Sequence, residues 1–150
     1  MPRPVSIVTV SYDTFFFVRL LVEKVRQLIG PRSYEVIVVD RGSRDGTPEW
    51  LGAQPDVRVL TVKPNRRAHG HGEAAELGAE KARYDHIVLL DSDAHPIEST
   101  WLELTVDRLD DQHRLAGAIF HGLHKANRHG WYIHPHSWPF TKLTSVKTSP

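Results

Sequence analysis

The sequence predicts an α/β fold, a mostly parallel sheet with helices on both faces. Three observations carry that prediction. Four short apolar runs rich in β-branched residues recur along the chain, helically patterned segments separate them, and two of the runs stop abruptly at an aspartate. Such runs mark strands buried on both faces, and regular strand–helix alternation builds a parallel sheet through crossover connections. In sheets of this kind ligands bind beyond the carboxyl ends of the strands, which singles out the two terminal aspartates.

Val5 to Val10 (VSIVTV) is the first strand. Val18, Leu21, Val22, Val25, Leu28 and Ile29 then form a helical stripe, with Asp13 or Thr14 placed to cap it and Gly30-Pro31 to stop it. Glu35 to Val39 (EVIVV) is the second strand and ends at Asp40. The loop RGSRDGT leads to Pro48, which suits the first turn of a short helix capped by Thr47. Val57 to Val62 is a third strand, and Gly72 to Arg83, rich in alanine and glutamate, is a helix. His86 to Leu90 (HIVLL) is a fourth strand, ended by Asp91. Thr100 to Leu109 reads as a helix and Leu115 to Phe120 as a further strand. Beyond Phe120 one short apolar segment remains, around Trp131 to Ile133. Thr141 to Pro150 has neither periodicity nor anchors and is expected to be loosely held.

At 150 residues the chain has room for one domain with one continuous core. A formal net charge of +1 gives the whole molecule no electrostatic preference for nucleic acid or an anionic membrane. The absence of cysteine excludes disulfides and thiolate metal sites and is compatible with the cytoplasm, the compartment expected here. The opening MPRPVSIVTVSYD lacks the apolar run of a signal peptide. No stretch reaches the roughly 18 uninterrupted apolar residues of a membrane helix. Thr14 to Ile29 comes nearest and is broken by Arg19, Glu23, Lys24 and Arg26.

Three segments carry chemistry. In Asp91-Ser92-Asp93, carboxylates at i and i+2 just past a strand end can converge on one ion when the backbone turns between them. Two hard oxygens there suit Mg²⁺ or Mn²⁺, with phosphate and water completing the shell, and such an ion would neutralise a diphosphate leaving group. The alternative is an Asx-turn or a cap on the next helix. Asp40, at the tip of the second strand, can accept a hydrogen bond from a base N–H, or it can organise the glycine-containing loop that follows. Asp45-Gly46-Thr47 reads as a turn and a helix cap. Gly70 to Ala75 fits the loose dinucleotide pattern G-x-G-x-x-A, but Gly70 lies too far beyond Val62 for the tight strand-to-helix turn that pattern requires. The plainer reading is a basic loop, with Arg66, Arg67, His69 and His71 near phosphate or sugar, entering a helix N-terminus. Solvated arginines are the alternative for Arg66 and Arg67.

Together VSIVTVSYD, EVIVVDRGSRDGT, NRRAHGHGEAAELGAEKA and HIVLLDSD resemble, in order and spacing, the family-2 type of inverting glycosyltransferases with a GT-A fold. The resemblance covers about Pro4 to Leu104 and is nearest to bacterial members with an HG-x-A-x-x-x-G middle motif and LDSDA followed by a tryptophan, here Trp101. It implies that Thr9, Ser11 and Tyr12 line the pocket for the nucleotide base and that Asp40 bonds the base. It further implies that Asp91 contacts the ribose or sugar of the donor and that Asp93 holds the metal; with the paired-carboxylate and basic-loop readings above, Asp91 is also a candidate metal ligand and His71 a candidate donor contact. Tyr132-Ile133-His134-Pro135 resembles a segment that relatives carry before their acceptor region, which makes His134 a candidate third metal ligand; a histidine packed beside Pro135 is the alternative. Asp13, Arg41 and Glu76 depart from residues frequent in the family, leaving the donor open.

Residues 1–120 are accordingly expected to form a nucleotide-sugar-binding domain, and 121–150 an incomplete acceptor-side segment with a loose tail. The acids after Trp101 are Glu103, Asp107, Asp110 and Asp111, none placed to serve as the general base, so no catalytic residue is assigned. The expected function is metal-assisted, inverting transfer of a sugar from a nucleotide-diphosphate-sugar donor to a glycan, lipid or protein acceptor. A donor-binding fragment or pseudoenzyme is the second possibility, and an NAD-type dehydrogenase a distant third. A sheet without its acceptor half would expose apolar surface, which predicts self-association.

Overall fold

The computed structural model describes residues 1–63 and 70–109 and, beyond these, the backbone of four short strands. All seven residues of β1 (Val5–Ser11) are buried, because the strand lies at the centre of the sheet with parallel neighbours on both edges. β2 (Tyr34–Asp40) flanks it on one side, followed outward by β3 (Val57–Thr61), and β4 (His86–Asp91) flanks it on the other. The full strand order is β3-β2-β1-β4-β8-β5, in which β8 (Leu143–Ser145) runs antiparallel to both β4 and β5 (Leu115–Ala116). Leu143–Ser145 falls in the segment read from sequence as loosely held, and it pairs with an edge of β4 that would otherwise present unpaired backbone. A separate hairpin joins β6 (Leu123–Ala126) to β7 (Gly130–Ile133).

Helices cover both faces. On one, α1 (Phe15–Leu28) buries Val18, Leu21, Val22 and Val25 against Val5, Ile7, Val36 and Val38, joined by Leu51 from α2 (Thr47–Gly52). On the other, α3 (His71–Glu80) lays Ala74 and Gly78 over Val8, Val10, Ile37 and Val39. Strand residues alternate between these layers, as the period of two requires. At the amino-terminal edge the buried Glu35 carboxylate accepts from the Ser6 hydroxyl at 2.6 Å and from the Arg83 N–H, and the Tyr84 N–H donates to Ser6 Oγ at 3.0 Å. That network fixes where α3 ends and β4 begins.

The predicted helix from Thr100 to Leu109 is not continuous. The segment forms irregular turns closing in a 3₁₀ turn at Val106–Arg108. Thr105 takes φ −121° and ψ −80°, its hydroxyl donates to the Trp101 carbonyl at 2.7 Å, and the Asp107 N–H reaches past it to the Leu102 carbonyl. A β-branched hydroxyl bonding back four residues competes with helical hydrogen bonding. Leu102, Val106 and Leu109 are buried all the same, and Trp101 Nε1–H donates to the Leu28 carbonyl at the end of α1. Among the described residues no helix is long and apolar enough to cross a membrane.

Candidate functional site

Register places the carboxyl ends of the three central strands level. Ser11 pairs with Asp40, and Val10 pairs with both Val39 and Asp91. Beyond these tips two loops are tied into one platform. The Arg41 N–H donates to the Ser11 carbonyl, the Asp13 N–H to Ser43 Oγ at 2.9 Å, and the Arg44 N–H to Asp13 Oδ1 at 2.7 Å. Asp13 holds φ +50°, a left-handed conformation that aspartate tolerates better than most residues. Asp45 completes the tie, accepting from the Phe15 N–H with Oδ2 and from the Thr47 N–H and hydroxyl with Oδ1. Neither Thr14 nor Thr47 caps its helix through its side chain.

On this platform opens a cleft of about 340 Å³ lined by Val10, Tyr12, Thr14 and Phe17 from β1 and α1 and the turn between them, by Arg41 after β2, by His71 of α3, and by Asp91, Ser92 and Asp93 at the end of β4. The chain turns after Asp91, where the Ala94 N–H closes onto the Asp91 carbonyl at 2.9 Å, and Asp91 and Asp93 line the same cleft. His71, on the first turn of α3, brings Nε2 to 3.2 Å from Asp91 Oδ1. Neither Asp91 nor Asp93 caps a helix, and among the described residues the Asp93 carboxylate has no hydrogen-bond partner. Carboxylates i and i+2 on a turn, Asp91 partly exposed and Asp93 exposed, fit a hard divalent cation that keeps part of its shell for phosphate and water. Among the described residues no group of three or more acidic or histidine ligands occurs, so of these residues Asp91 and Asp93 are the pair that could hold such an ion.

The structure thus brings Tyr12, His71, Asp91 and Asp93 together. Thr9 and Ser11 instead lie under the surface: Thr9 is buried with Oγ1 unpartnered, and Ser11 Oγ is 3.0 Å from Thr14 Oγ1. Asp40, 1% exposed, spends its oxygens on its own loop, accepting from the Gly42 and Ser43 N–H groups at 3.1 Å each and from the Ser43 hydroxyl at 2.5 Å. These bonds organise the loop that follows β2. His134, Arg66, Arg67 and His69 lie outside the described residues. Sequence reasoning did not select Phe17, which lies one residue outside the buried stripe of α1, or Arg41, noted only for its departure from a family pattern. The Arg41 guanidinium lies over the Tyr12 ring, 5.6 Å from its centroid. Gly70 precedes α3 as its N-cap, and eight residues separate it from the end of β3 at Thr61, too many for the tight strand-to-helix turn that a dinucleotide loop needs.

The sequence model described as glycosyl transferase family 2 matches residues 6–148. No curated protein matches the chain. Among solved structures, the mannosyltransferase PcManGT from Pyrobaculum calidifontis, in complex with GDP-Man and Mn²⁺, is 27% identical with a TM-score of 0.58, over 71% of this chain and 32% of that one. S. aureus TarS 1–349 superposes with a TM-score of 0.64 at 17% identity, over 95% of this chain and 47% of that one. The same TarS fragment in complex with UDP-GlcNAc gives 0.58 at 21% identity, over 75% and 32%. At these identities TarS speaks for the fold alone. The chain spans about a third to a half of the length of these structures.

Proposed function

From the premise that the chain belongs to glycosyl transferase family 2 and has its GT-A, Rossmann-like fold, we propose that it binds a nucleotide-diphosphate sugar through a divalent cation and serves inverting transfer of that sugar to an acceptor hydroxyl. The observation that carries this reading is a single cleft lined by Asp91, Asp93 and His71 together with Tyr12 and Arg41. The complex of PcManGT with GDP-Man and Mn²⁺ supports the same donor chemistry. Asp91 and Asp93 would hold Mn²⁺ or Mg²⁺, with His134 proposed as a further ligand. When bound, the cation supplies electrostatic neutralisation of the diphosphate leaving group. The residues of the cleft orient the donor, and Phe17 and Val10 shield it from water on the apolar side.

We place the reaction in the cytoplasm, with a glycan, lipid or protein acceptor, no nucleic-acid partner, and self-association of the chain through exposed apolar surface. The general base is unassigned. Asp107, one of the two described acids after Trp101, is committed to Arg32 through paired hydrogen bonds of 3.2 and 2.9 Å. That commitment favours a second reading, a chain that binds donor without completing transfer; turnover of donor onto an acceptor above donor hydrolysis would exclude it. Calorimetric titration with GDP and UDP, with and without Mn²⁺, tests the primary reading. Binding should require the cation and weaken by about tenfold or more in Asp93→Ala. Metal-independent binding, or binding unaffected by that substitution, overturns it.

A further inference from the structure

Resting on that donor-binding reading, we propose that Phe17, on the first turn of α1, is the surface on which the base of the donor stacks. Three consecutive phenylalanines open α1, and successive residues of a helix turn by about 100°, so their rings diverge. Phe15 packs edge to face on Trp50, with ring centroids 6.3 Å apart. Phe16 is 68% exposed and is not among the residues lining the cleft. Phe17 lines the cleft and is 47% exposed, standing beside the stripe of Val18, Leu21, Val22 and Val25 that the helix buries. A large apolar ring left open to water gains free energy when a flat apolar surface covers it.

The surroundings of Phe17 leave its ring open to stacking. Phe16 meets it at an interplanar angle of 80° with centroids 5.7 Å apart, an edge-to-face contact that covers one face of Phe17 at most. Tyr12, the other aromatic residue of the cleft, already carries the Arg41 guanidinium over its ring. The first turn of α1 is held in place, because the Phe15 N–H donates to Asp45 Oδ2 at 2.7 Å and the Val18 N–H to the Thr14 carbonyl at 2.9 Å. A ring presented on a fixed turn loses little freedom when a ligand covers it. Position agrees with this role. Val10 pairs with Asp91, so the turn from β1 into α1 starts one strand away from the tip of β4. The cleft that both share extends to Phe17, and a ligand with its phosphates at Asp91 and Asp93 has its nucleoside within reach of that ring. Of the parts of a nucleotide sugar, only the base is an aromatic plane; the ribose, the sugar and the phosphates are polar. Every base has such a face, so the stack adds affinity without choosing among bases.

The test is titration of the chain in Mn²⁺ with GDP, ADP, UDP, CDP and the base-free ribose 5-diphosphate, repeated on Phe17→Ala, Phe17→Leu, Phe17→Trp and Phe16→Ala. Phe17→Ala should weaken every nucleotide that the parent chain binds by about tenfold, within the range of a lost base–aromatic stack, and leave ribose 5-diphosphate unchanged. Phe17→Leu keeps apolar bulk without the ring and should recover little of the loss, whereas Phe17→Trp should recover all of it. Phe16→Ala should bind as the parent chain does. Nucleotide affinity retained in Phe17→Ala, full recovery in Phe17→Leu, an equal loss for ribose 5-diphosphate, or the same loss in Phe16→Ala each overturns the assignment while leaving donor binding intact. Failure of every nucleotide to bind the parent chain overturns the donor-binding reading and this inference with it.

Discussion

Asp45 shows how a single carboxylate can hold two elements that sequence separates. Its Oδ2 takes the Phe15 N–H at 2.7 Å, satisfying one of the unpaired donors at the start of α1, and its negative charge sits at the positive end of that helix. Its Oδ1 takes the Thr47 hydroxyl at 2.6 Å and the Thr47 N–H at 3.2 Å. Asp45→Ala should therefore cost about 1–2 kcal/mol in urea denaturation, the loss typical of a helix cap. It should also weaken nucleotide binding, because Tyr12 and Thr14 sit on the strand-to-helix turn that it anchors and Phe17 on the first turn of α1. Unchanged stability would show that the carboxylate is dispensable. The sequence supports a turn and a cap at Asp45, but no local pattern tells which helix is capped. The same limit applies to Asp40, whose place at a strand tip is plain while its consumption by Ser43 is not. Arg41 and Phe17 escape sequence reasoning for a related reason, since a cleft wall is made by elements meeting in space.

At the scale of elements, apolar runs revealed burial well and hydrogen bonding less well. The four parallel strands are legible because a strand covered on both faces must be apolar at nearly every position, and they differ from the sequence reading by only one or two residues at their ends. Leu102, Val106 and Leu109 have helical spacing and are buried, yet the backbone carrying them is not a helix. The spacing recorded only which side chains face the core. α3 permits a sharper test through two of its glycines. A Cβ on Gly78 would stand 2.4 Å from Val8 Cγ1 and 3.0 Å from Val39 Cγ2, whereas one on Gly72 meets nothing within 4 Å. Alanine favours a helix over glycine by about 1 kcal/mol at either position. Gly72→Ala should thus raise stability by up to that amount. Gly78→Ala should lower it by about 1–3 kcal/mol, because α3 must lift off a sheet of short, stiff valines. His71 rides on the same helix, so Gly78→Ala should also weaken donor binding. Equal thermal midpoints for the two variants would mean that α3 is not seated closely on the sheet.

For the whole molecule, the cleft depends on a sheet that is fastened at its opposite edge, where Arg32 and Asp107 join three distant parts of the chain. Arg32 follows α1, Asp107 lies in the 3₁₀ turn, and Arg3 precedes β1, donating its N–H to Asp107 and lending its carbonyl to Arg32. The Arg32 side chain is 4% exposed and that of Asp107 25%, so removing the carboxylate would strand a buried guanidinium. Asp107→Asn should destabilise the chain by about 2–3 kcal/mol at neutral pH, toward the low end for a broken buried pair because one partner is partly solvated. Hydrogen bonding from Arg32, more than burial opposes it, holds the Asp107 carboxyl below its ordinary pKa. A carboxyl lowered on folding contributes stability that is fully present above its unfolded pKa of about 4 and is lost as pH falls through the lower folded value. The gap in unfolding free energy between the parent chain and Asp107→Asn should hold constant from pH 7 to about pH 5 and then close progressively below pH 4. A gap that persists undiminished in strong acid would show that the substitution acts through shape and packing, and that the charge of Asp107 does not fasten this edge of the sheet.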